Sequence, residues 1–199
     1  MQRQIVRMED VDLLAQVKSG NANAFRFLVD KHKNLVWHLV LRMINQQEDA
    51  EDICQEVFIR VFRDIGKFRG ESKLSTWIGK ITYNTCIDHL RKKGREKTYA
   101  TDNLGTILAG KISPDSASSR VDKTYLKDIV HKIIEAMPVH YRTVITLYHL
   151  EEMSYKEMEE ITGMPEGTIK SYLSRSRQIL REKIMQLVPD IEPVLFGTD

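Results

Sequence analysis

Cysteine, proline and glycine are all scarce in this chain: 2, 5 and 10 of 199 residues. So few turn formers argue against a β-rich fold and against a collagen-like repeat. The cysteines, Cys54 and Cys86, lie far apart and in no CxxC or Cys/His cluster, which excludes a disulfide framework and a structural zinc site. Each is expected to be a reduced thiol, buried or half-buried, in a cytoplasmic protein. No apolar run approaches the roughly 18 residues of a membrane span, so no membrane insertion is expected. The opening MQRQIVRMEDVDLL has neither an uninterrupted apolar core nor a cleavage site, so it does not read as a signal peptide. Net charge is nearly absent too. Lys and Arg total 30 against 28 Asp and Glu, a balance of +2 that does not by itself point to nucleic acid. What these absences leave is a mainly helical protein with one medium domain or two small ones.

What is present is helical periodicity. Val11, Leu14 and Val17 predict a short amphipathic helix stopped by Gly20. Asn21 can cap the next, where Phe25, Leu28, Val29, Val36, Leu39, Val40 and Met43 form one stripe. A third helix runs from Gln47 to Gly66 on Ile53, Val57, Val61 and Ile65, and a fourth follows a polar turn at 67–72 and ends near Lys93. Together these predict a domain over residues 10–93. Periodicity then lapses across 94–121, which carries three glycines, a proline and a Ser-Ala-Ser-Ser run. That stretch reads as a linker, with a partly ordered patch at 104–108. Its flexible end-to-end distance is roughly 30 Å and its full reach about 90 Å, long enough to hold two domains on separate sites.

A second helical block, 122–188, opens with Tyr125, Leu126, Ile129, Val130, Ile133, Ile134 and Met137, and Pro138 ends that helix. Ser154-Tyr155-Lys156-Glu157 is a capping box, and Thr162-Gly163-Met164-Pro165 a sharp turn. A longer basic helix from about Glu166 completes the outline of a helix-turn-helix. At 100° per residue, Ile169, Leu173, Ser176, Leu180, Ile184 and Leu187 share its inner side. Ser171, Ser174 and Gln178 lie opposite, flanked by Lys170, Arg175, Arg177 and Arg181. A polar crest between cationic shoulders suits base edges and phosphates; a solvated bundle face is the blander alternative. Residues 165–183 sum to +3. The preceding short helix carries Glu157, Glu159 and Glu160, so it is expected to face a protein partner or solvent rather than phosphate.

Two further charged segments sit in the first block. Residues 67–93 sum to +5, with Phe68, Trp77 and Tyr83 interleaved, a composition suited to unpaired bases that stack on rings. Trp77 also fits the apolar stripe of its helix. Asn84, Asp88 and Arg91 share one face, either a DNA contact or a plain surface network. Residues 48–56 sum to −5, either a solvated helix start that suits the helix dipole or a docking surface.

Three of these segments, in this order, resemble bacterial sigma factors of the extracytoplasmic function (ECF) subgroup of the sigma-70 family. Asp49-Ala50-Glu51-Asp52-Ile53-Cys54-Gln55-Glu56-Val57-Phe58 resembles the helix that binds core polymerase. Phe68-Arg69-Gly70-Glu71-Ser72, Ser75-Thr76-Trp77-Ile78 and Asn84 to Arg91 resemble the segment that melts the promoter. Gly167-Thr168-Ile169-Lys170-Ser171 to Arg175-Ser176-Arg177 resembles the reader of the upstream element. The resemblance implies an all-α fold of two small helical domains, region 2 and region 4, and a non-catalytic subunit with no cofactor or metal. It implies core polymerase contacts at Asp49, Asp52, Ile53, Gln55, Glu56 and Phe58. It implies −10 contacts at Lys67, Phe68, Arg69, Ser72, Lys73, Asn84, Asp88, Arg91 and Lys92. For the −35 element it implies Thr168, Lys170, Ser171, Ser174, Arg175, Arg177 and Gln178. The implied partners are core RNA polymerase, double-stranded promoter DNA, melted −10 DNA and an anti-sigma factor, with no obligatory homo-oligomer. Ser174 stands where some relatives carry a large side chain and position 172 is Tyr, so no particular −35 sequence follows. The melting helix is thinner in aromatics than in housekeeping sigma factors, which implies a narrow promoter set.

The main alternative is a helix-turn-helix repressor or activator with a helical effector or dimerisation domain, which needs neither an acidic docking helix nor a melting segment. An enzyme is disfavoured. His131, His140 and His149 recur every nine residues, about 180° of helix, and no HExxH, phosphate loop or Ser/His/Asp layout is present.

Overall fold

The computed structural model of the chain describes residues 8–44, 46–93 and 123–187, and all regular structure among them is helical. The N-terminal block comprises α1 (Met8–Lys18), α2 (Ala22–Met43), α3 (Gln47–Asp64), a 3-10 turn at Ile65–Lys67 and α4 (Leu74–Lys92). The C-terminal block comprises α5 (Lys123–Ala136), α6 (Val139–His149), α7 (Tyr155–Thr162) and α8 (Glu166–Leu187). The expected linker at 94–121, its patch at 104–108 and the chain after 187 lie outside the described residues.

Local chemistry sets most of the boundaries. The Asn21 side chain accepts from the backbone N–H groups of Asn23 and Ala24 and so caps α2. Pro138 separates α5 from α6, because it cannot donate within a continuing helix. At α7 the capping box is complete: Ser154 Oγ accepts from the Glu157 N–H, and the Glu157 carboxylate accepts from the Ser154 N–H at 2.9 Å. Gly163 closes α7 in the left-handed conformation at φ 71°, which a side chain would strain. Ser154→Ala should cost about 1 kcal/mol. Thermal melting should show it as a fall of about 3 °C; an unchanged melt would show that the cap contributes nothing.

The two blocks pack against each other. One apolar core runs from Leu13 in α1 through Leu28, Leu39, Val57 and Ile78 to Met158, Ile161, Ile169 and Leu173 in the C-terminal block. Helix α4 lies along α7, and α2 along α6. A smaller cluster of Ile129, Ile133, Met137, Tyr141, Ile179 and Ile184 ties α5 and α6 to α8. The approach of α4 to α7 depends on Gly79, where a Cβ would fall 3.0 Å from Ile161 Cδ1 and 3.2 Å from Cγ1. Cys86 is buried and Cys54 half-buried, both as free thiols. Burial, with the nearby Glu51 charge, pushes Cys54 up to about 11.

Candidate nucleic-acid interface

Helix α8 presents the face its sequence phase requires. Ile169, Leu173, Ser176, Ile179 and Ile184 are buried, whereas Lys170, Ser171, Ser174, Arg175, Arg177 and Gln178 are exposed and Thr168 is half-buried. The shoulders are already held in place. Lys170 Nζ pairs with Glu166 Oε1 at 2.5 Å and lies 5.1 Å above the Tyr155 ring. Arg177 lies 5.2 Å over Tyr148, and its Nε donates to His149 Nε2 at 3.3 Å. Arg175 Nη1 is 3.5 Å from the Tyr141 hydroxyl. The aromatic and acidic neighbours orient the cations, and the serine and glutamine crest between them stays open to solvent.

The second basic face lies on α4. Taking Asn84 as origin, Trp77, Lys80, Asp88 and Arg91 fall within about 40° on either side. Asn84, Lys80 and Arg91 are exposed, and Asp88 and Trp77 are half-buried. Trp77, part of the segment that resembles the promoter-melting motif, belongs to this strip by phase, and so does Lys80, which lies outside that motif. Lys67, Arg69, Lys73 and Lys92 extend the basic surface at the ends of α4, with Ser72 half-buried beside them. Phe68 does not reach the surface. It is only 5% exposed and packs 5.4 Å from the Trp77 ring, where it supports the loop from beneath.

Helix α3 carries a third face of different chemistry. Glu48, Glu51, Asp52, Gln55, Ile59 and Phe62 share a sector of about 100°, opposite the buried Ile53, Val57 and Val61. Ile59 and Phe62 are 66% and 54% exposed, and Phe27 of α2 is 61% exposed. The Phe62 ring meets Phe25 edge-on at 4.9 Å. An acidic half-turn is here continued by bare apolar side chains. The apolar part was legible only as residues out of phase with the core stripe. Ile53 is buried and shapes this face from below. Asp49, Glu56 and Phe58 lie on its flanks, where Asp49 pairs with Lys93 and Glu56 with Arg60. Arg60 also reaches Asp88 at 3.4 Å, which fixes α3 against the rim of the α4 strip.

Between the blocks the charges are complementary. Lys73 Nζ meets Glu157 at 2.8 Å, and His38 Nδ1 meets Glu151 Oε1 at 2.6 Å. Burial alone would raise the Glu157 carboxyl, but hydrogen bonds from Lys73 and Ser154 outweigh it and hold the group below its ordinary value. Glu157 of α7 thus faces the N-terminal block of its own chain, whereas Glu159 is exposed. On the other side of the contact, Arg42 Nη2 is 3.2 Å from His131 Nδ1. Burial first, then the Arg42 charge, keeps His131 below the usual imidazole range. Among the described residues no group of three His, Cys, Asp or Glu could hold a metal ion, and no helix is long and apolar enough to cross a membrane.

The chain matches known families along both blocks. The family described as Sigma-70 region 2 matches residues 28–96, and Sigma-70 region 4 matches residues 127–180. The chain is 35% identical over 182 residues to the ECF RNA polymerase sigma factor SigW of Bacillus subtilis (strain 168), covering 87% of this chain and 96% of that one. It is 34% identical over 190 residues to the ECF RNA polymerase sigma-E factor of Haemophilus influenzae, covering 92% of this chain and 98% of that one. Among solved structures it is similar in fold to the sigma factor RpoE in complex with the anti-sigma factor NepR from Bartonella quintana. That match has a TM-score of 0.59 at 22% identity, over 80% of this chain and 96% of that one. It is also similar to CnrH in complex with the cytosolic domain of CnrY, with a TM-score of 0.57 at 20% identity, over 87% of this chain and 96% of that one. With region 2 on the N-terminal block and region 4 on the helix-turn-helix, the chain belongs to the ECF subfamily of sigma-70 factors, non-enzymatic initiation factors that direct core RNA polymerase to promoters.

Proposed function

We propose that the three faces divide the work of initiation. The crest of α8 (Ser171, Ser174 and Gln178, with Thr168 at its start) reads the −35 element in the major groove, while Lys170, Arg175 and Arg177 neutralise flanking phosphates. The α4 strip and the 67–73 loop engage the −10 element as it melts, with Arg91, Lys92 and Lys80 on the backbone and Trp77 available for stacking. The exposed face of α3 docks on core polymerase through Asp52, Gln55, Ile59 and Phe62. The observation that carries the reading is the outer surface of α8: six of the seven assigned side chains are exposed, with Ser171, Ser174 and Gln178 opposite the core and Lys170, Arg175 and Arg177 on the flanks. The place of action is the cytoplasm, with the polymerase. Because the structurally similar RpoE of Bartonella quintana was captured with the anti-sigma factor NepR, a protein of that class is the inferred keeper of the free chain.

These roles require the blocks to separate. Elements centred about 25 base pairs apart lie about 85 Å apart along B-DNA. With α4 packed directly on α7, one closed molecule cannot touch both. The segment 94–121, with its reach of about 90 Å, bridges the elements once the contact opens.

Reconstitution with core polymerase tests the docking face. The double change Ile59→Asp, Phe62→Asp should weaken holoenzyme formation at least tenfold without altering helix content, since both side chains are exposed. Asp52→Ala with Glu56→Ala should weaken it less. Undiminished binding by both variants would remove α3 from the interface.

A further inference from the structure

A groove of about 1220 Å³ opens where the two blocks meet, between α2, α5, α6 and the second half of α8. It exceeds the ~300–1,000 Å³ of a small-molecule site and has the size of a peptide segment. Its floor is apolar, with Ile44, Val130, Ile134 and Ile145, and at its edge Leu41 and Leu150 are 37% and 51% exposed. Its rim is cationic: Arg42, Lys127, Arg177 and Arg181 against a single acid, Glu135.

We propose that this groove seats the chain's own C-terminal segment, residues 188–199. That segment, VPDIEPVLFGTD, alternates Ile191, Val194, Leu195 and Phe196 with Asp190, Glu192 and Asp199, and contains no basic residue. Its apolar residues match the floor and its −3 charge matches the rim. Pro189 and Pro193 keep it from helix and favour an extended path of about 3.1 Å per residue. The connection is direct, because α8 ends at Leu187, and Ile184 and Met185 already line the groove. From Leu187 to Phe196 the segment spans about 28 Å. The stretch of α8 bordering the groove, Arg177 to Met185, rises only about 12 Å. The segment is therefore long enough to turn back beside α8 and reach Leu41 and Leu150. Seated there, it touches α2 of one block and α5, α6 and α8 of the other, and so ties the closed form together.

Photo-crosslinking of the full chain, free of polymerase and DNA, tests this independently of promoter reading. With Phe196→p-benzoylphenylalanine, crosslinks should form within one molecule and map to the peptides carrying Leu41 or Leu150. Leu150→Glu, an exposed change, and Arg42→Glu should each lower that yield at least fivefold with helix content intact. No crosslink, crosslinks mapping elsewhere, a yield indifferent to both changes, or crosslinks only between two copies would overturn the proposal, the last by showing that a second molecule fills the groove.

Discussion

Gly79→Leu is expected to drive the two blocks apart while leaving each folded. A Cβ at this position already lies 3.0 Å from Ile161 Cδ1, and Ile161 is 1% exposed, so the further carbons of leucine have no space in the closed form. Overpacking of this kind costs about 1–3 kcal/mol. The cost falls on the closed form alone, because the open form leaves that side of α4 facing solvent. Within α4 itself leucine is the better helix former, by about 0.8 kcal/mol, so the helix does not suffer. The closed-to-open ratio should drop about 5- to 150-fold. X-ray scattering would read this as a larger radius of gyration at unchanged helical circular dichroism. A compact variant that merely melts at lower temperature would mean that the blocks are inseparable parts of one fold.

Removing the α8 contacts should have the other large effect. Side-chain contacts to base edges are worth about 1–3 kcal/mol each. Ser171→Ala removes one such contact, and Lys170→Ala with Arg175→Ala removes two phosphate contacts besides, so the three combined should lower −35-dependent transcription by about tenfold or more, while assembly with core polymerase, which uses α3, persists. Lys170 and Arg175 are assigned to phosphates, so losing both should also make the salt dependence of promoter binding shallower, by about 1.8 in the log–log slope. Ser171→Ala alone should leave that slope unchanged and alter only which −35 sequences are preferred. Equal activity of the triple variant on promoters with and without a −35 element, matched by the unmodified chain, would show that another face reads the DNA.

Much of this was legible in the chain because local signals agree with one another. The Asn21 cap, the Pro138 break, the Ser154/Glu157 box and the Gly163 turn set boundaries that the helices obey. The phase of α8 separated crest from core with one small shift, since Ile179 takes a buried place and Leu180 is half-buried. The contact between the blocks was not legible, because it joins residues that each had a sufficient local explanation. The acids of α7 read as a solvent or partner face, and Lys73 as a DNA contact, yet Lys73 and Glu157 meet at 2.8 Å. Nothing along the chain announces that Ile161 lies over Gly79. The apolar half of the α3 face was missed for a related reason. Ile59 and Phe62 are common in helix interiors, and only their phase against Ile53, Val57 and Val61 marks them as outward. The burial of Phe68 likewise depends on a tertiary partner, Trp77.

The charge balance makes the same point. The total of +2 combines +5 over residues 67–93 and +3 over 165–183 with −5 over 48–56 and −1 over the rest of the chain. The three charged segments sit on separate helix faces, so charges that cancel along the chain stay distinct in space.

The most direct test is the distance between α4 and α7 in the free chain and in a promoter complex. Spin labels at Lys80 and Lys156, both exposed, sit on helices that pack together. Packed helices lie 8–10 Å apart, so the labels should be within about 25 Å in the free protein. In holoenzyme bound to promoter DNA the distance should exceed about 50 Å, as two elements about 85 Å apart demand. A short distance that persists in an active promoter complex would contradict the account.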